Sequence, residues 1–116
     1  MFKRHTISFK NAFHGLIWAL KTQPNYKIHL LLSLISVSTG FWLKISYIEF
    51  LVIVFLITVG LVIETINTSI EVASDAIDTK IREDIRITKD VAAAAMLIYA
   101  IGATIIALMI FLPKIL

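Results

Sequence analysis

Cysteine is absent from the 116 residues of this chain. Its absence excludes a disulfide framework, a thiolate nucleophile and any cysteine zinc site, and it leaves the redox compartment open. Charge is scarce as well: 16% of the residues are Asp, Glu, Lys or Arg, where a soluble domain carries about a quarter. The four glycines, Gly15, Gly40, Gly60 and Gly102, are isolated, so neither a Walker A loop nor a G-x-G-x-x-G phosphate cradle can form. No acid precedes Glu49, and a net charge of +3 is too small to point to nucleic acid. What the chain has in plenty is apolar side chains, 59% of the total, with a mean hydropathy of +0.89. Lipid rather than water is then the expected main solvent. At this length one compact domain is the ceiling, with no room for a separate catalytic module.

Three runs are nearly free of charge. Residues 28–43 lie between Lys27 and Lys44, residues 50–63 lie between Glu49 and Glu64, and residues 91–113 contain no charged side chain. A helix crossing a bilayer needs roughly 20 largely apolar residues. The third run meets that outright. The first meets it if Lys27 and Lys44 snorkel, and the second if Glu64 lies near its inner end. The fold class expected is therefore an all-α membrane protein with spans over about 28–46, 48–71 and 91–112.

The N-terminus has the basic start of a signal peptide, but Lys10, His14 and Lys21 interrupt any apolar core. Instead Ile7, Phe9, Phe13, Leu16, Ile17 and Leu20 recur at helical spacing, with Lys3, Arg4, Lys10 and Lys21 around them. This reads as an amphipathic surface helix over about 6–22, with Trp18 as an interfacial anchor. Pro24 ends it. Residues 1–27 carry five basic side chains and no acid, and the 75–90 segment carries Lys80, Arg82, Arg86 and Lys89. The positive-inside rule places both in the cytoplasm, and the 44–49 turn and the C-terminus outside.

Apart from Glu49, every acid lies between Glu64 and Asp90. At about 100° per residue, Glu64, Asn67, Glu71, Asp75 and Asp78 fall within an arc of roughly 80° on one helix face. For Asp75 and Asp78 a solvated helix extension, paired with the nearby bases, explains the pattern equally well. Glu64 and Glu71 sit among Leu61, Val62, Ile63, Ile66, Ile70 and Val72, and an ionisable group at membrane depth is a functional candidate by default. The deeper carboxylate suits proton abstraction from a lipid hydroxyl, and the shallower one suits a hard cation such as Mg²⁺. With Lys89 to pair an anionic ligand, these are the parts phosphoryl transfer requires. A small cation transporter would use the same acids, but it explains neither Lys89-Asp90 nor the surface helix.

The stretch Glu64-Thr-Ile-Asn67-Thr-Ser-Ile-Glu71-x-x-x-Asp75, with Lys89-Asp90 fourteen residues later and the alanine run 92–95, resembles the small prokaryotic lipid kinases, the diacylglycerol and undecaprenol kinase family. The likeness extends to Ser8-Phe9-x-x-Ala12-x-x-Gly15, to Asn25-Tyr26-Lys27-Ile28-His29 and to Phe111-Leu112-Pro113-Lys114. The last two are closer to the Gram-positive undecaprenol kinase branch. The resemblance implies a homotrimer in the bacterial cytoplasmic membrane, with active sites shared between chains, and γ-phosphoryl transfer from Mg-ATP to a lipid alcohol. By position it makes Glu64 the general base and Glu71 a magnesium ligand. It assigns Lys89, Asp90 and Glu71 to ATP, with Arg4, Lys80 and Arg82 as weaker nucleotide contacts, and Asn67 and Asp75 as site support.

One departure stands out. The family usually has a glutamate as second magnesium ligand just before the first span, where this chain has Gln23. A neutral amide offers an oxygen but less field to a hard cation. Gln23 therefore leaves open a weakened enzyme, or a non-catalytic binder of nucleotide or anionic lipid. His5, His14 and His29 are spaced too irregularly for a metal site and read as polar anchors near a membrane surface.

Overall fold

The computed structural model describes residues 2–78, 80 and 82–116, with the side chains of Phe2 and Lys3 outside the description. The Lys3 part of the basic N-terminal cluster therefore lies outside the described side chains. Four helices follow one another: α1 (Phe2–Thr22), α2 (Pro24–Leu43), α3 (Tyr47–Ile77) and α4 (Glu83–Ile115).

A single residue separates α1 from α2. Gln23 is extended (φ −106°, ψ 110°), the conformation forced on a residue that precedes proline. Pro24 then opens α2, where its missing N–H is no loss. It thus opens α2 as well as ending α1. At the far end α2 stops at Leu43, short of the expected residue 46. Lys44 turns left-handed (φ 54°, ψ 50°), and the Ile45 N–H donates to the Gly40 carbonyl at 3.1 Å. Ser46 caps α3 through a reciprocal box: its hydroxyl accepts from the Glu49 N–H at 3.2 Å, and the Glu49 carboxylate accepts from the Ser46 N–H at 2.9 Å. Lys114 reaches Glu49 at 3.7 Å, so the end of α4 lies beside the α2–α3 turn. The three long helices run up, down and up.

Helix lengths show where the polar end lies. At about 1.5 Å per residue α2 is about 30 Å long, the thickness of a hydrocarbon core, whereas α3 and α4 are about 46 and 50 Å. The long dimension of the molecule is 51 Å. Both longer helices project beyond the bilayer thickness at the end where residues 78–82 join them. Most of the expected 75–90 segment is therefore helical, as the last turn of α3 and the first two turns of α4.

Few apolar side chains are inside. Ile45, Ile53 and Ile110 form a small cluster with Val37, Phe50 and Ile106 near the α2–α3 turn. Leu34, Phe55 and Ile98 are each more than 60% exposed. In water such a surface is untenable, but in lipid it matches the solvent. All three helices α2, α3 and α4 are long and apolar enough to cross a membrane.

Helices α3 and α4 approach closely at Gly60. The Tyr99 hydroxyl donates to the Leu56 carbonyl, and a Cβ at position 60 would lie 2.6 Å from the Tyr99 hydroxyl oxygen. Gly60→Ala is therefore expected to push Tyr99 off Leu56 and loosen α3 from α4, at a cost of about 1–3 kcal/mol. A lowered thermal midpoint in detergent, by light scattering or tryptophan fluorescence, checks this. An unchanged midpoint would show that Tyr99 rotates away freely.

Candidate functional site

The second half of α3 buries polar groups where a soluble helix would bury apolar ones. Glu64, Asn67, Thr68 and Ser74 are 2%, 8%, 5% and 5% exposed, and at about 100° per residue they fall within roughly 120° of one another on one helix face. The face is turned toward α2 and α4. From α2, Tyr26 and His29 meet it, one turn apart. Tyr26 is buried, and its hydroxyl bonds the Thr65 hydroxyl. Thr65 in turn donates to the Leu61 carbonyl at 2.7 Å.

His29 Nε2 lies 3.7 Å from Glu64 Oε2, with side-chain exposures of 20% and 3%. That separation is too long for a hydrogen bond and short enough for an ion pair once the imidazole is protonated. His29 is therefore no mere surface anchor, as its spacing to the other histidines suggested. The signal that marks it is periodicity on its own helix. Tyr26, His29, Ser33, Ser36 and Gly40 recur at three- and four-residue intervals, a polar and small stripe on an otherwise apolar helix. His29 also stands at one end of a groove of about 400 Å³ that runs between α2 and α4 over Leu56, with Ser33, Ser36, Tyr99 and Thr104 on its walls.

One and two turns beyond Glu64 the site opens. The Asn67 Oδ1 is buried with no hydrogen-bond partner among the described residues, and buried polar atoms normally have one. Glu71 is half-buried and has no hydrogen bond or ion pair among the described residues. Farther along, Lys89 Nζ reaches from α4 to Asp75 Oδ1 at 2.6 Å. Across the helix pair the expected face is thus assembled: Glu64, Asn67, Glu71 and Asp75 from α3, and Lys89 from α4.

The remaining sequence candidates are placed elsewhere. Asp90 pairs with Arg86 at 3.3 Å. Arg82 forks onto Asp84 at 2.7 and 3.2 Å and reaches Asp78 at 3.6 Å. These carboxylates, the Asp84 hydrogen bond first, push the guanidinium further above its ordinary value. The exposed Lys80 bonds Asp78 through its backbone N–H at 2.9 Å. Arg4 is exposed on α1, its carbonyl accepting from Ser8 at 3.0 Å. Gln23 caps α2, its amide bonded to Thr22 at 3.3 Å. None of Asp90, Arg82, Lys80, Arg4 or Gln23 bonds Glu64 or Glu71 within the chain. Among the described residues no three His, Asp or Glu side chains converge as a metal site would require.

Magnesium takes one or two carboxylates together with substrate phosphates and water. Glu71 and the amide oxygen of Asn67, both oxygen donors with open valence, fit that partial donor set.

The model of the family described as prokaryotic diacylglycerol kinase matches residues 10–111. An undecaprenol kinase of Bacillus subtilis (strain 168) is 35% identical over 107 residues, covering 92% of this chain and 87% of the relative. A diacylglycerol kinase of Synechocystis sp. (strain ATCC 27184 / PCC 6803 / Kazusa) is 30% identical over 111 residues, covering 95% of this chain and 63% of that longer protein.

Proposed function

The chain belongs to the prokaryotic diacylglycerol kinase family and is a multi-pass lipid kinase, and we propose that it moves the γ-phosphoryl group of ATP to the hydroxyl of undecaprenol or of diacylglycerol. Undecaprenol is the acceptor to try first, because the relative so named aligns along nearly all of both chains. The observation that carries the reading is Glu64, a carboxylate 2% exposed in the middle of an apolar helix, at a depth a lipid hydroxyl reaches. A buried carboxylate is costly to keep, and its use as a base explains its presence.

Glu64 takes the hydroxyl proton as the new O–P bond forms and the bond to the ADP oxygen breaks. Lys89, at the polar end of the pair, holds phosphate charge, with Asp90, Arg82, Lys80 and Arg4 as outer contacts. Glu71, with Asn67 beside it and Gln23 as a weaker donor, would hold Mg²⁺, which neutralises phosphate charge when bound. The site is completed between chains in a homotrimer. Support for that comes from Glu71 and the Asn67 oxygen, which have no partners among the described residues, and from spans that leave most of their apolar surface outward. We place the N-terminus and the α3–α4 connection on the cytoplasmic side of the bacterial inner membrane, supported by their basic charge. The exposed Phe9, Phe13 and Leu16 of α1 fit a helix lying in that interface.

Purified protein in micelles with labelled ATP, Mg²⁺ and each lipid side by side is the test. Label in undecaprenol or diacylglycerol is expected. Label in neither, under conditions where the Bacillus relative works, would overturn the reading. Gln23→Glu is expected to lower the Mg²⁺ concentration for half-maximal rate several-fold, since it restores a charged donor. An unchanged Mg²⁺ dependence would remove residue 23 from the metal site.

A further inference from the structure

We propose that His29 is the positioning partner of Glu64 and the outlet for its proton, a role that rests on the kinase reading above. The side chain of Glu64 is 3% exposed and that of His29 is 20% exposed. Each turnover leaves on Glu64 a proton that has no direct path to water. His29 Nε2, at 3.7 Å, is the one titratable group within ion-pair reach of Glu64 among the described residues. Catalytic hydrogen bonds are often long before substrate binds and tighten in the complex, and a small movement or one bridging water closes this gap.

The surroundings isolate the pair. Beside Glu64, the Thr65 hydroxyl of α3 and the Tyr26 hydroxyl of α2 are bonded to each other. From α4 the group that shares the groove with His29 is Tyr99, whose hydroxyl is spent on the Leu56 carbonyl. On α2 itself Lys27 lies two residues away, on another face of the helix. Among the described residues no further charged side chain forms an ion pair with either member. The proton count balances: lipid O–H to the Glu64 carboxylate, Glu64 to His29 Nε2, and the imidazolium to water through its exposed edge. The charged pair left before that release costs less than a lone charge at that depth.

His29→Gln keeps a polar side chain of similar size. It is expected to lower kcat by about 100-fold, at the low end of the range for a lost proton-transfer group. KM for ATP and lipid should stay within about twofold. Free imidazole should restore a good part of the rate in His29→Ala. A kcat loss without a KM change, rescued by imidazole, would not follow from a packing role. Wild-type kcat in His29→Gln would overturn the proposal.

The histidine resonances of the wild-type protein in micelles give a readout without substrate. The His29 ring resonances should move in Glu64→Gln, and resonances indifferent to residue 64 also overturn the proposal, even if the variants of His29 fail to fold. A chain that phosphorylates neither lipid while His29 still follows Glu64 defeats the kinase reading, and the relay with it, leaving only the ion pair. An active kinase whose His29 ignores Glu64 defeats the relay alone.

Discussion

Glu64→Gln is expected to all but abolish lipid phosphorylation while leaving the helices and their assembly intact. The substitution changes one oxygen to an amide nitrogen in a site 2% exposed, so volume and packing are preserved. What is lost is the capacity to accept a proton. General-base removal typically costs about 10²–10⁴ in rate. The loss should appear in kcat, with KM for ATP nearly unchanged, because the proposed nucleotide contact, Lys89, lies farther along the helix pair. Thermal stability should hold or rise, since a neutral amide is cheaper to bury than a carboxylate whose one titratable neighbour within ion-pair reach, among the described residues, is His29 at 3.7 Å. Gel filtration in detergent, a melting curve and the labelled-ATP assay together check this. Residual kcat within tenfold of wild type would remove Glu64 from the base role. A collapsed assembly would make it a structural residue instead.

The parts legible in the sequence were those that depend on pattern along one helix. Charge-free runs gave the three spans, and the 64–78 acids gave a polar face, because helical periodicity alone puts side chains on the same side. Helix ends were less legible. Lys44 stops α2 through a left-handed conformation that most lysines never adopt, and nothing in its neighbours announces it. The charged 75–90 segment looked like a connection, yet it continues α3 and begins α4. Two packed helices satisfy each other beyond the bilayer, and the Lys89–Asp75 pair helps bind them there. Across helices the sequence was weaker still. His29 lies 35 positions from Glu64, and only the crossing of α2 over α3 brings them together. Tyr99 over Gly60 is another such meeting. The resemblance assigns Asp90 to the nucleotide together with Lys89; within the chain the two point about 100° apart, and Asp90 pairs with Arg86.

Lys89→Gln separates two roles that the geometry combines. The ammonium touches Asp75 at 2.6 Å, with 36% and 58% of the two side chains exposed, so within the chain it is a clamp between α3 and α4. If the clamp were its whole purpose, Asp75→Asn would match Lys89→Gln. An ion pair this exposed is worth about 0.2–1 kcal/mol, and either variant would cost little beyond a small drop in thermal stability. If Lys89 instead holds phosphate charge, Lys89→Gln removes a charge-assisted contact to the transferring group. Donors of that kind are worth about 10²–10³ in rate. We expect the second pattern: Lys89→Gln lowers kcat/KM for ATP at least 100-fold, Asp75→Asn lowers it less than tenfold, and the double variant resembles Lys89→Gln alone. Lys89→Arg should recover part of the loss, since the charge is kept while the fork replaces a compact point charge. Steady-state kinetics over a range of ATP concentrations, with melting curves of all four variants, completes the cycle. Equal losses for Lys89→Gln and Asp75→Asn, tracking stability, would reduce Lys89 to a helix clamp and move phosphate recognition to the Arg82 and Arg86 cluster.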